Sequence, residues 1–500
     1  VIAAVDLLLH GPTLSIAVCL LGVIGIVLAR RTPNVREGVS LVTAVVNFVL
    51  VVWMYRQFDA GRTIGTDLVQ VVPGVSIGFR VDGLGILFAL VASGLWIVNT
   101  LYSIGYMRAH DEHKQTRFFA CFAIAIAACM GGAFSSNLFS LFAFYEMLTI
   151  CTYPLVVHAE TDVAKAGARR YVTYLLGASI GLMLPALFLV WNAAGTMSFA
   201  ELPGALDASD ASPFVLSLAF LLFLGGIAKC GIMPFHAWLP AAMVAPTPVS
   251  ALLHAVAVVK MGVFAVSRVV LDVFGTDLLA ELSLHHVLIA GACVTIVLAS
   301  LIALAQDNLK RRLAYSTISQ LSYILLGLGL LVGVTGEDQV TRYHASIGGI
   351  VHIGVHAWSK ITLFFAAGAI YVALHKTKVS ELDGIGRRMP ITMTAFTIGA
   401  LSMIGLPPAA GILSKWWLVE SAATGGYTVV LVVLGVSALL NAAYFLPIVW
   451  RAFFKPSPEG AATGWKEAPW PCVAALSVTA AGTVLLFFFP GVLQDLATLV

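Results

Sequence analysis

The sequence predicts an all-α protein that crosses a membrane about fourteen times, in two inverted five-helix repeats with broken helices 7 and 12. Three observations predict this. Apolar runs of about 20 residues, the length that crosses a bilayer, recur from end to end. The 500 residues are 60% hydrophobic and only 11% charged, where a soluble domain has about a quarter charged. Two Pro/Gly breaks, five runs apart, each lie beside a lysine.

The apolar runs fall near 12–29, 39–55, 82–104, 117–134, 137–157, 170–193, 213–229, 248–271, 286–305, 311–332, 346–373, 392–406, 428–450 and 470–490. The first reads as a retained helix rather than a cleaved signal peptide, because many similar runs follow it. Two further apolar pieces, 236–246 and 411–424, are too short to span. Each follows a break, at Gly231-Ile232-Met233-Pro234 and at Gly405-Leu406-Pro407-Pro408. Proline removes a backbone donor and stops a helix. Freed carbonyls at membrane depth need protein or a wet cavity. An offset of five spans reverses orientation, so the halves read as an inverted repeat of the kind transporters use. The expected organisation is residues 1–116 (helices 1–3), 117–271 (first half, helices 4–8), 286–455 (second half, helices 9–13) and 456–500 (helix 14).

Basic residues orient the chain. The odd-numbered loops hold Arg30, Arg31, Arg36, Arg108, Lys114, Arg117, Lys165, Arg169, Arg170, Lys310, Arg311, Arg312, Lys376, Lys378, Arg387, Arg388, Arg451, Lys455 and Lys466. The even-numbered loops hold only Arg56, Arg62, Arg80, Arg268 and Arg342. The positive-inside rule then places odd loops in the cytoplasm and both termini on the outer side of a cytoplasmic (inner) membrane.

The four remaining basic residues, Lys229, Lys260, Lys360 and Lys415, lie inside apolar segments, as does Glu146. An ionisable group at that depth costs about 2.5 kcal/mol or more, and such groups mark ion paths. Glu146 is the sole charge on its helix. It reads as a proton site or as half of an ion pair locking two helices. Lys229 ends its span, so snorkelling competes with a proton role there. Lys260, near mid-span and preceded by His254, cannot easily snorkel. His352, His356 and Lys360 are spaced i, i+4, i+8, on one helix face over about 12 Å. Neutral imidazoles accept and donate, which suits a relay. No acid or cysteine completes a metal shell there. Lys310, otherwise a cytoplasmic anchor, is a secondary candidate for a path toward the tenth span.

Other chemistry has little support. The seven cysteines show no CxxC spacing and read as small core residues. There is no phosphate loop, nucleophile triad or dinucleotide fingerprint, no cofactor is expected, and nothing points to nucleic acid. The chain carries no redox-cofactor ligands and no catalytic site of its own.

Several segments resemble one family. They are Pro234–Pro240 (PFHAWLP) with Ala245–His254 (APTPVSALLH), Asp307–Tyr323 (DNLKRRLAYSTISQLSY), His352–Ala369 (HIGVHAWSKITLFFAAGA) and Gly405–Lys415 (GLPPAAGILSK). They are similar to the antiporter-like subunits of respiratory complex I, membrane-bound hydrogenases and Mrp cation/proton antiporters, over roughly residues 80–455. At Trp358-Ser359 the chain departs from the apolar aromatic that more often precedes the family's lysine, here Lys360. The resemblance implies that Glu146, Lys229, Lys260 and Lys415 form a water-linked proton route along the mid-plane. Lys415 stands where one complex I class has glutamate. The tail after the last span reads as too short for the lateral helix of the largest class. The D-type subunits of Mrp antiporters are then the nearest class. The implied function is a proton-translocating subunit of a multisubunit monovalent cation (Na+)/proton antiporter, with other membrane subunits, protons and Na+ as partners. A subunit of a redox-driven complex, a partner of an inorganic-carbon transporter and a non-conducting assembly subunit are the alternatives.

Overall fold

A computed structural model describes residues 10–334, 339–457 and 464–498. The chain is a bundle of helices: α1 Gly11–Leu28, α2 Pro33–Asp59, α3 Gly83–Ala109, α4 Gln115–Ala133, α5 Leu138–Val156, α6 Asp162–Ala194, α7 Pro213–Gly226, α8 Thr247–Phe274, α9 His285–Ala305 and α10 Leu309–Gly333. It continues with α11 Gln339–Leu374, α12 Pro390–Ile404, α13 Gly411–Thr424, α14 Thr428–Phe454, α15 Trp470–Phe488 and α16 Gly491–Thr498. Each of the fourteen expected spans coincides with a helix. Twelve are long and apolar enough to cross a membrane; α7 and α12 are shorter, because the breaks cut them. The protein is multi-pass.

Burial sorts the helices. Every residue from 247 to 270, in α8, is buried. Helix α11 packs on α3, α8, α10, α12, α13 and α15, so it runs through the centre. The outer helices α1, α2 and α14 keep bare apolar rows, such as Leu21, Val42, Val429 and Leu439. Side chains of this kind face acyl chains in a bilayer. Polar N-caps set several helix starts. Asp82 accepts from Gly85 N at 2.8 Å, Asn137 from Ser140 N at 2.8 Å and Asn308 from Arg311 N at 3.0 Å. Each satisfies one of the four free N–H groups at a helix start.

Three features differ from expectation. Residues between the second and third spans form an antiparallel hairpin, β1 Gly65–Val72 and β2 Val75–Arg80. Pro73 and Gly74 turn it, with Gly74 at φ +81°. A lone ribbon has too short a pattern to stand out among long apolar runs. Helix α8 is interrupted by a π turn at Leu252–Val256, which carries His254. Finally, Arg36, Arg268 and Arg312, read as loop cations, are buried helix residues. Arg268 on α8 binds both carboxylate oxygens of Asp82 at 2.7 Å and Asp272 at 2.8 Å. Its charge is matched by acids that lie far away in sequence or one turn on, so it counts as a pin between α8 and α3 rather than as an orientation signal.

Candidate functional site

Both expected breaks occur. After Gly226 the chain makes a 3-10 turn at Ala228–Cys230, then Gly231 at φ +75° and a cis Met233–Pro234 bond. After Ile404 come Gly405 at φ +95°, a cis Pro407–Pro408 bond and then α13. The two sites are not copies. Only a four-residue helix, Trp238–Ala241, and a 3-10 turn, Ala242–Val244, fill the piece after the first break. Side chains serve the freed carbonyls. Trp238 Nε1 donates to Ala228 O at 2.9 Å, and Lys415 Nζ donates to Met403 O and to Ile404 O at 3.3 Å. Lys310 Nζ donates to Ala245 O at 2.6 Å.

The first cluster joins α5, the α7 break and α8. Lys229 is fully buried and its ammonium donates to Tyr145 O. It also lies 3.2 Å from the centroid of the Tyr145 ring, a cation–π arrangement. Glu146, half-buried on the same helix, faces Lys229 and Ser179. Glu146 and Lys229 form no contact ion pair, and Glu146 Oε1 has no hydrogen-bond partner among the described residues. Of the two readings of Glu146, the locking ion pair is not formed with Lys229 among the described residues. Gly262 lets α8 approach: a Cβ there would lie 2.2 Å from the Lys229 carbonyl carbon and the Cys230 nitrogen.

The second cluster joins α8, α11 and α13. Lys260 Nζ lies 2.7 Å from His356 Nδ1. One turn away on α11, His352 Nδ1 lies 2.7 Å from Ser414 Oγ, next to Lys415 in sequence. The two imidazoles are 5.8 Å apart, and Tyr323 stacks on His352 at 5.5 Å. The far nitrogens of His352 and His356 are buried without partners among the described residues. The i, i+4 spacing thus places both rings on the face of α11 that meets Lys260.

A third set, missed in the sequence, links the last two lysines. Lys360 Nζ donates to Ser316 Oγ at 2.8 Å, and Tyr444 OH donates to the same oxygen at 3.1 Å. Tyr444 OH also contacts Asn441 Oδ1, which accepts from Gln320 Nε2 at 3.3 Å. Gln320 Nε2 reaches Met403 O at 3.4 Å, the carbonyl that Lys415 binds. A continuous polar file therefore runs from Lys360 to Lys415. A signal for it existed. Ser437, Asn441 and Tyr444 repeat at i, i+4, i+7 on α14, and Ser316, Gln320 and Tyr323 do so on α10.

The remaining candidates stand apart. His254 packs on Phe364 at 5.0 Å, and neither ring nitrogen has a partner among the described residues. Lys310 caps a carbonyl at the start of α8. Pro234, Pro407 and Pro408 shape the breaks and hold no proton themselves.

Buried lysines, histidines and a carboxylate beside two interrupted helices define a class, the antiporter-like membrane subunits. The model of the family described as NADH:quinone oxidoreductase/Mrp antiporter, TM, matches residues 135–441, and this chain belongs to that family. A second model, for the N-terminus of complex I chain 5, matches residues 73–119. NADH-quinone oxidoreductase subunit N of Desulforudis audaxviator is 33% identical over 408 residues, 78% of this chain and 77% of that protein. The chloroplastic NAD(P)H-quinone oxidoreductase subunit 5 of Lotus japonicus is 34% identical over 375 residues, 72% of this chain and 47% of that protein. The chain spans about half the length of that relative and the other subunit 5 proteins it matches. Among solved structures, a chain of an archaeal membrane-bound sulfane sulfur reductase superposes with a TM-score of 0.84 at 25% identity, covering 98% of this chain and 96% of that one. A chain of the Mrp complex from Dietzia sp. matches with a TM-score of 0.81 at 21% identity, covering 97% of each, which speaks to fold alone.

Proposed function

We propose that this chain translocates protons as one membrane subunit of a larger complex. The observation that carries the reading is the 2.7 Å contact between Lys260 Nζ and His356 Nδ1. An ammonium donating to a neutral imidazole can hand over its proton without a carrier in between, and the pair lies inside otherwise apolar helices. From there His352 and Ser414 lead toward Lys415, while Ser316, Tyr444, Asn441 and Gln320 hold Lys360 and Lys415 in place without passing a proton themselves, since Asn441 Oδ1 accepts from both of its neighbours. Glu146 and Lys229 supply the other end. Water must bridge Glu146 to Lys229, and Lys229 to Lys260, since no direct bond joins either pair among the described residues. The two halves, 117–271 and 286–455, would each provide one break and one side of access. Basic loops set the odd-numbered connections, and with them the Lys310 end of α10, on the cytoplasmic side of an inner membrane. Both termini would then lie outside.

Two settings could drive the flow. The names of the curated relatives support a redox-driven, complex I-like assembly. The sequence motifs, and a fold shared with an Mrp complex, support a cation/proton antiporter with Na+ as the coupled ion. The subunits that co-purify with the chain separate them: iron–sulfur and quinone-binding proteins in the first case, small antiporter subunits in the second. The proton reading itself is tested in proteoliposomes containing the purified complex and a trapped pH indicator. A pH change that is equal for wild type and for Lys260→Ala at equal protein level would end it.

A further inference from the structure

A second polar cluster lies outside the route. It sits between the α3–α4 link and the end of α5. Glu112 and His113 are on the link, and His158 follows α5 by two residues. We propose that Glu112, His113 and His158 bind one divalent transition-metal ion, with Zn2+ the best-suited ion.

The geometry carries the proposal. His158 is 0% exposed, and neither of its ring nitrogens has a hydrogen-bond partner among the described residues. The Glu112 carboxylate faces its Nε2, and a buried Nδ1 with no partner among the described residues needs a reason. Its Nε2 points at Glu112 Oε2, 3.6 Å away, and His113 Nδ1 lies 4.0 Å from the same oxygen. The two rings are 4.9 Å apart, and one ligand atom from each residue falls within 4.8 Å of the others. Zinc bonds nitrogen and oxygen at about 2.0–2.2 Å, so neighbouring ligands in a tetrahedron sit about 3.4 Å apart. No pair of these atoms needs to close by more than about 1.4 Å to reach that geometry. Two nitrogens and one carboxylate suit zinc better than the hard cations magnesium and calcium, which take oxygen. His113 is exposed, so water can fill a fourth position.

Two cations flank the site. Lys114 and Arg117 pair with Glu160 at 2.5 and 2.7 Å, and Arg117 also donates to His158 O at 3.4 Å. Those two partners hold the Glu160 carboxyl down to about 2, and its charge offsets theirs in part. Glu112 is left to face the ion. A filled site would staple the α3–α4 link to the end of α5, the helix that carries Glu146.

The test is equilibrium dialysis of the purified full chain against Zn2+, with bound metal read by atomic emission. Wild type should retain one Zn2+ per chain, and its melting temperature should rise with Zn2+. His113→Ala changes an exposed side chain and leaves folding intact; it should weaken binding at least tenfold. Glu112→Gln with His158→Ala should remove it. Failure of wild type to retain zinc, or retention at the wild-type level by His113→Ala or by the double variant, overturns the site.

Discussion

Lys260 of α8 and His356 of α11 are 96 residues apart and share one hydrogen bond of 2.7 Å. Neither side chain has an acid beside it among the described residues. The lysine's partner is a base that becomes charged when it takes the proton. A charge at this depth is costly wherever it rests, so passing the proton within the pair moves one buried charge rather than creating a second.

His356→Leu should therefore leave Lys260 with no acceptor and stop proton transport, while assembly continues. His356→Gln keeps a hydrogen-bond acceptor but cannot carry a proton. Transport by His356→Gln at the wild-type rate would show that the ring only positions Lys260.

Tyr444→Phe removes one hydroxyl between Ser316 and Asn441. Ser316 is the acceptor of Lys360, so the change loosens that lysine. One hydrogen bond contributes about 1 kcal/mol, so about a fivefold loss of flux is expected. Protein level and complex size should not change. The measurement is the initial rate of pH change in proteoliposomes. An unaltered rate would mean that the hydroxyl does not position Lys360 for transport.

Arg268 and Asp82 give a contrasting case. Their pair, with Arg268 buried and the Asp82 side chain 31% exposed, lies away from the proton file. Removing Asp82 leaves Arg268 with Asp272, so the cost is about 1–3 kcal/mol, below that of a fully buried pair. Asp82→Ala should thus lower the melting temperature and the yield. The purified fraction that remains folded should still transport. Normal melting in this variant would show that Asp272 alone satisfies the arginine.

Gly262→Ala tests how α8 is seated. The added methyl would meet backbone of Lys229 and Cys230 at 2.2 Å, and backbone cannot rotate away as a flexible side chain can. The break must move, and Lys229 with it. Transport should fall sharply even though no titratable group has changed. Gly262→Ala with full activity would show that the helices can separate at no cost to the route.

Lys415→Arg keeps the charge beside Met403 and Ile404 but does not release a proton at accessible pH. It should assemble and fail to transport. Cation and proton fluxes at the wild-type rate would make Lys415 a carbonyl cap only and move the exit toward Lys360 and His356.

The sequence by itself determined the number of apolar segments, the two breaks and the lysines and the glutamate that lie within apolar runs. Those follow from length and composition, because a bilayer demands about 20 apolar residues per crossing and makes every departure conspicuous. The spacing of His352, His356 and Lys360 also settled their shared face, since helical geometry is local. Only the tertiary structure decided who meets whom. Lys260 joins His356 on α11, while His254, in the π turn at Leu252–Val256, packs on Phe364. Lys229 turns to the carbonyl and ring of Tyr145 rather than into contact with Glu146, and Gly262 lets α8 approach the backbone of the break. Arg268 passed for a loop cation until the fold brought Asp82 to it from 186 positions away. Tyr444, Asn441, Gln320 and Ser316 were visible as polar stripes, but a stripe does not name its partner. Pairing across helices depends on packing between segments distant in the chain, and no local pattern encodes that.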